Sequence, residues 1–125
     1  MIRLSSRLVT TSADVDTMVL VNEQRIAGQE RLDRIVVDRL AGEPVDQGPM
    51  FSTTGWRRGG KVFAFVGGSG ELMIKLPEAR VRALIDSAAG EPMTIRERTM
   101  REWVRIPPEG DWEPLVVEAQ AFLAV

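Results

Sequence analysis

The stretch GWRRGGKVFAFVGGSGELMIKL (residues 55–76) decides the fold of this 125-residue chain. Its two apolar runs, KVFAFV and ELMIKL, are rich in the β-branched and aromatic residues typical of strands. Glycines lie in the gap before each run, at residues 58–60 and 67–70, and such short gaps are typical of β-hairpins. With MFSTTGW (residues 50–56) in front of them, the runs predict an antiparallel meander of three strands.

Gly55, Gly60 and Lys61 have the spacing of a phosphate-binding P-loop, but the rest of that motif is missing. A P-loop lysine is followed by a serine or threonine that ligates Mg²⁺, and a helix begins there whose N-terminus faces the phosphates. Here Val62 follows the lysine, and the next residues have a strand pattern. We therefore interpret the glycines as turn residues and expect no specific nucleotide binding and no cofactor.

Three further segments have the periodicity of helices. The first is residues 22–40, in which Asn22 is the expected N-cap. Its apolar side chains form one stripe: Leu32, Ile35, Val36 and Leu40. The second helix follows Pro77, a residue suited to the first turn, and the third covers residues 112–123. Residues 100–106 alternate like a strand, whereas the prolines and glycines of residues 41–49 indicate a connecting loop.

The resulting order, α-βββ-α-β-α, predicts an α+β fold: a two-layer domain with an antiparallel sheet and helices packed on it. Residues 1–17 have weak periodicity and a polar end, so we expect a loosely ordered N-terminal arm before a domain of residues 18–125. No secretory signal and no apolar run of membrane-spanning length is recognisable. We expect a cytoplasmic protein that makes no membrane contact.

Histidine and cysteine are both absent from the sequence. The chain therefore lacks the commonest general base, a thiol nucleophile and the usual ligands of transition metals. We predict no catalytic, cofactor-binding or metal-binding residues. Its 18 acidic residues leave one alternative, an enzyme of unrecognised type that uses a pair of carboxylates.

The net charge of −2 gives the chain as a whole no attraction for nucleic acid. One basic segment, residues 94–107, departs from this balance. It surrounds a tryptophan with arginines: Arg96, Arg98, Trp103, Arg101 and Arg105. Such a segment either contacts nucleic acid or is a solvated face with one packed tryptophan. Because Glu97 and Glu102 interrupt it, we favour the packed tryptophan and expect DNA binding that is weak at most.

Strict alternation along KVFAFV predicts a candidate interaction surface. Val62, Ala64 and Val66 would then share one face of the sheet, and the two phenylalanines would share the other. Since helices of a two-layer domain cover one face only, the second apolar face needs a cover. Either the N-terminal arm and the last helix provide it or a second copy does, and we favour a two-fold homodimer. The candidate surface residues are Phe63, Phe65, Met73, Trp56, Arg57 and Arg58.

Several strings, taken in order, resemble the TfoX N-terminal domain family (TfoX/Sxy-like). They are Met50-Phe51, GGKVFAFV (residues 59–66), ELMIKLP (residues 71–77) and MREWVRIP (residues 100–107), the last being similar to the family's Met-x-x-Trp-Val segment. The resemblance covers residues 26–122, nearly the whole domain. Family members usually continue Met-Phe with glycines, whereas residues 52–54 are Ser-Thr-Thr here. We expect no counterpart of the separate helical C-terminal domain that the full-length regulators have.

The resemblance implies a single-domain, non-enzymatic regulatory module that acts through contacts with proteins or DNA. Two alternatives stay open beside it. One is a small-molecule-binding domain that uses the sheet face away from the helices, and the other is the carboxylate enzyme named above.

Overall fold

The computed structural model describes residues 9–50 and 53–124, with side chains from residue 22 onward. Within these residues the chain forms three helices and six strands. In chain order they are α1 (Val9–Arg39), β1 (Val45–Met50), β2 (Thr53–Arg58), β3 (Lys61–Val66), β4 (Leu72–Lys75), α2 (Glu78–Asp86), β5 (Glu91–Ile95), β6 (Arg98–Ile106) and α3 (Glu113–Ala124). The mixed α+β fold with helices packed on an antiparallel sheet is confirmed.

The strands form one sheet in the order β1-β2-β3-β4-β6-β5, and each neighbouring pair is antiparallel. Strands β2 and β3 are joined by Gly59 and Gly60, with φ values of 60° and 80°. Two successive residues with positive φ suit a type I′ hairpin turn, which matches the twist of the flanking strands. The hairpins predicted between β2, β3 and β4 are therefore confirmed.

Both edge strands of the sheet differ from the sequence-based prediction. Residues 41–49 were predicted to be a loop, but Val45–Met50 form β1, and β5 was not predicted at all. Each contains a proline, Pro49 in β1 and Pro92 in β5. A proline in a sequence is evidence against a strand, so neither segment was expected to be one. At a sheet edge one side of the strand has no partner, so a missing N–H is tolerated there.

Helix α1 begins at Val9 instead of at Asn22. Its 31 residues correspond to a length of about 46 Å. Of the expected arm at residues 1–17, residues 1–8 lie outside the described residues and residues 9–17 belong to α1. The division into an arm and a domain of residues 18–125 stays a prediction.

The main core lies between the sheet and all three helices. Helix α1 contributes its predicted stripe, with Leu32 fully buried. Helices α2 and α3 add a further set of buried residues: Val81, Leu84, Leu115, Val116 and Ala119. Opposite them, the strands supply Phe63, Ala64, Val66, Leu72, Ile74, Val104 and Ile106. We call the face of the sheet that this core covers the inner face. The predicted interaction surface was expected on the opposite face.

Candidate interaction surface

A β-bulge in β3 decides which side chains reach each face of the sheet. Trp56 pairs with Ala64 and Arg57 with Val62, so Phe63 is an extra residue on this strand. As a result Phe63 and Ala64, although consecutive, both pack into the core under the helices. The strict alternation expected for KVFAFV is therefore wrong, and it is Val62 that lies with Phe65 in a second cluster.

The second cluster lies on the sheet face opposite the helices, which we call the outer face. Its buried members are Phe65, Met93 and Trp103. Half-buried apolar side chains from five strands surround them: Met50, Val62, Met73, Ile95 and Met100. Within the part of the chain that the structure describes, no helix residue belongs to this cluster. The outer face is therefore a methionine-rich apolar surface built from strands.

Trp103 lies at the centre of this cluster and is only 9% exposed, which confirms the prediction that it is buried. Its ring meets that of Phe65 edge to face, with ring centroids 5.5 Å apart and an interplanar angle of 62°. The Lys75 ammonium lies 5.6 Å from the centroid of the Trp103 ring, within the range of a cation–π contact. Phe65, Lys75 and Trp103 thus bring β3, β4 and β6 together on the outer face.

Oppositely charged pairs flank the apolar cluster. Arg57 lies across Gly48, where an added Cβ would be 2.6 Å from the guanidinium carbon, and it is paired with Asp46 at 2.8 Å. The hydrogen bonds from Arg57 lower the pKa of the Asp46 carboxyl below its ordinary value. The remaining pairs are Arg105–Glu91, with nitrogen and oxygen 3.2 Å apart, and Lys75–Glu102 at 3.4 Å. Each of these three positive charges has its own carboxylate.

The six predicted surface residues separate into two groups. Phe65, Met73 and Arg57 lie on the outer face, as the geometry above shows. Phe63 is fully buried under the helices, and Trp56 also packs against the main core. Arg58 turns the same way, pairing with Glu43 at 2.8 Å and donating a hydrogen bond to Gln120 of α3.

Of the eight apolar members of the outer-face cluster, the predicted surface includes only Phe65 and Met73. Met93 and Ile95 belong to β5, the edge strand that its proline concealed. Met100 lies within a long irregularity in the pairing of β5 with β6, since Pro92 pairs with Val104 whereas Thr94 pairs with Thr99. No local pattern of letters identifies such an irregularity, because it depends on how two separate strands align.

The indole of Trp56 has a structural role on the inner face. Its Nε1 donates a hydrogen bond to Asp33 Oδ1 over 2.8 Å. The same oxygen accepts hydrogen bonds from the side-chain amides of Gln29, at 2.9 Å, and Gln47, at 3.2 Å. Asp33 therefore connects α1 to β1 and β2 and holds the edge of the sheet against the helix.

A shallow hollow of about 330 Å³ adjoins the outer-face cluster near the start of β6. Its lining combines charged and apolar side chains: Lys75, Glu78, Met100, Arg101, Glu102 and Trp103. Within the described ranges, no three acidic side chains come together as metal ligands would. None of the helices described here is both long and apolar enough to cross a bilayer.

Comparison with known proteins gives no match: no family model matches the chain, and no curated protein or solved structure is similar to it. The resemblance to the TfoX N-terminal domain family therefore rests on the sequence strings quoted above.

Proposed function

We propose that this domain is a non-enzymatic interaction module whose outer face binds a second copy of the chain. The observation that carries the proposal is the apolar cluster around Trp103 and Met73, on the face that the described helices leave aside. Apolar surface of this kind on a water-exposed sheet usually marks a contact site. Methionine side chains suit such a site because they are unbranched and adapt to the opposing surface.

Charge supports a second copy as the occupant. The three ion pairs Asp46–Arg57, Glu91–Arg105 and Lys75–Glu102 each combine one positive and one negative charge, so these pairs add no net charge to the face. When two identical faces meet about a two-fold axis, each meets its own charge pattern, and an unbalanced rim would repel itself. Paired charges at the rim avoid this repulsion.

A regulatory role in the cytoplasm is part of this proposal, and the resemblance to the TfoX N-terminal domain supports it. The absence of histidine and cysteine favours binding over catalysis. A dimer formed through the sheet would leave the helices directed outward, available for a regulatory protein partner. Contacts of this kind need no cofactor.

The test compares two variants that introduce the same charge on opposite sides of the domain. Met73→Glu puts a carboxylate into the outer-face cluster, opposite Phe65 on the neighbouring strand. Val37→Glu puts it on α1, at a side chain that is already 65% exposed. By light scattering, we expect a dimer mass for the wild type and for Val37→Glu. Met73→Glu should be a monomer, because burying an additional charge in the interface is costly.

The opposite result would be a monomer mass for the wild type that stays constant as the protein is concentrated. Equal effects of the two variants would also contradict the proposal, since the outer face would then have no special role. Circular dichroism of Met73→Glu checks that the variant still folds, so that loss of the dimer is not loss of the domain.

A second candidate function is small-molecule binding at the hollow beside Trp103. The observation that favours it is a lining in which charged side chains of both signs surround an aromatic and a methionine side chain, a combination suited to a small polar molecule. Thermal-shift screening against nucleotides and metabolites distinguishes the two functions. A reproducible rise in melting temperature with one ligand class, lost in Lys75→Gln, would support the small-molecule site.

A further inference from the structure

We propose that the end of the β5–β6 hairpin is a contact site for the phosphate backbone of duplex nucleic acid. Three exposed arginines lie there within six residues: Arg96, Arg98 and Arg101. In the described part of the chain none of them has an ion-pair partner, whereas most other arginines do. The inference does not depend on the outer-face dimer.

The neighbouring acids leave this hairpin end positive. Glu102 is paired with Lys75, and Glu78 is paired with Arg82 at 2.8 Å. Glu97 is the one acidic residue between the three arginines. Three positive charges against one negative charge leave an excess of two, on a chain whose net charge is −2. The positive charge is therefore concentrated locally.

The backbone of the turn gives an independent indication. Arg96 and Glu97 both adopt left-handed conformations, with φ values of 51° and 65°. A two-residue hairpin turn of this geometry is normally made by Asn-Gly or a similar pair, because a Cβ is unfavourable there. Long charged side chains at strained turn positions do not serve the stability of the hairpin. Such departures from local preference are characteristic of functional sites.

The arrangement of the arginines fits a polymer better than a single small anion. Strand β4 pairs with β6 only over residues 103–106, so the segment holding Arg98 and Arg101 continues past that partner. An open hollow of about 620 Å³ follows it, lined by Arg98, Thr99, Met100 and Arg101. At about 3.3 Å per residue, the Cα atoms of Arg98 and Arg101 lie up to about 10 Å apart. Because Arg98 and Arg101 line the same hollow, the two guanidinium groups can contact different phosphates of one backbone.

Because the nearby tryptophan is buried, we expect the site to bind a duplex more tightly than a single strand. Proteins that bind single strands stack the bases on exposed aromatic rings. Trp103 is only 9% exposed and is in contact with Phe65 and Lys75, so its ring offers no such platform. Guanidinium groups without a stacking surface bind phosphates and carry no sequence information. We infer binding that is independent of sequence and strongly dependent on salt.

The test is fluorescence anisotropy with a labelled, mixed-sequence duplex of about twenty base pairs, titrated from about 20 to 200 mM salt. Three phosphate contacts predict a slope of log K against log salt of about −2.7. The variant Arg96→Gln/Arg98→Gln/Arg101→Gln should lose binding and bring the slope near zero. Glu97→Gln should bind more tightly than the wild type, a gain that misfolding cannot imitate.

The matched control is Arg25→Gln/Arg34→Gln/Lys61→Gln. It removes the same charge at positions that also lack ion pairs within the described residues, and it should keep the wild-type slope. Equal losses in both triple variants would overturn the proposal, since only net charge would then matter. It would also fail if the wild type did not bind at the lowest salt, or if a single strand of equal length bound more tightly than the duplex.

Discussion

Ala88 is a residue whose conformation is unfavourable for its side chain. It follows Ser87, the C-cap of α2, and has a φ of 65°. Its N–H donates to the carbonyl of Ile85, and the N–H of Gly90 donates to Leu84, so the chain reverses here in the manner of a helix C-terminus. Glycine is the usual residue at such a position because it has no Cβ.

Ala88→Gly should therefore stabilise the domain by about 1 kcal/mol. Removing the Cβ relieves the left-handed conformation, which costs an L residue about 1–2 kcal/mol. The greater conformational freedom of glycine in the unfolded chain offsets part of this stabilisation. The control is Ala89→Gly, at the next residue, where φ is not positive. That change should destabilise the domain or leave it unchanged. Urea unfolding measures both, and equal effects would show that the φ of Ala88 is not the cause.

At the scale of elements, the contact of α1 with the β3–β4 turn depends on two glycines. A Cβ on Gly28 would be 2.9 Å from the Gly70 carbonyl oxygen, and one on Gly70 would be 2.6 Å from the Gln24 carbonyl oxygen. Both distances are too short for real contacts with backbone atoms. The helix can thus lie directly on the turn.

Gly28→Ala should consequently destabilise the domain by about 1–3 kcal/mol, the usual cost of overpacking. The sign of the change in unfolding free energy is informative, because a glycine-to-alanine change in an ordinary helix interior would stabilise the helix by about 1 kcal/mol. Gly68→Ala is the control, since no atom lies within 4 Å of its added Cβ, and it should be nearly neutral. Stabilisation by Gly28→Ala, measured by denaturant unfolding, would mean that α1 does not rest on the turn.

The helices and strands differ in how well the sequence predicts them. Strands β3 and β4 could be predicted because their residue types and glycine turns are local signals. The edge strands could not, because pairing with β2 and β6 outweighs the prolines at positions 49 and 92. The bulge at Phe63 was equally hidden, since it exists only in the alignment of β3 with β2. The bulge accounts for the wrong face of Phe63, whereas Trp56 and Arg58 lie on the inner face because they alternate with Arg57 along β2.

At the scale of the whole molecule, the sheet separates two apolar clusters of different character. The inner cluster is closed by side chains of all three helices, with Trp112 and Phe63 fully buried. The outer cluster consists of strand residues, and several of its members keep part of their apolar surface accessible. The first cluster accounts for the fold of one copy. The second accounts for the proposed association of two.

The most direct test of this association is an isotope-filtered NOE experiment on a mixture of methyl-labelled and unlabelled copies. The account predicts intermolecular NOEs from the methyl groups of Met73 and Val62, because both lie in the outer-face cluster. It predicts none from Val37, which is exposed on α1 on the other side of the sheet. Intermolecular NOEs confined to Val37, or their complete absence in concentrated samples, would contradict the proposed role of the outer face.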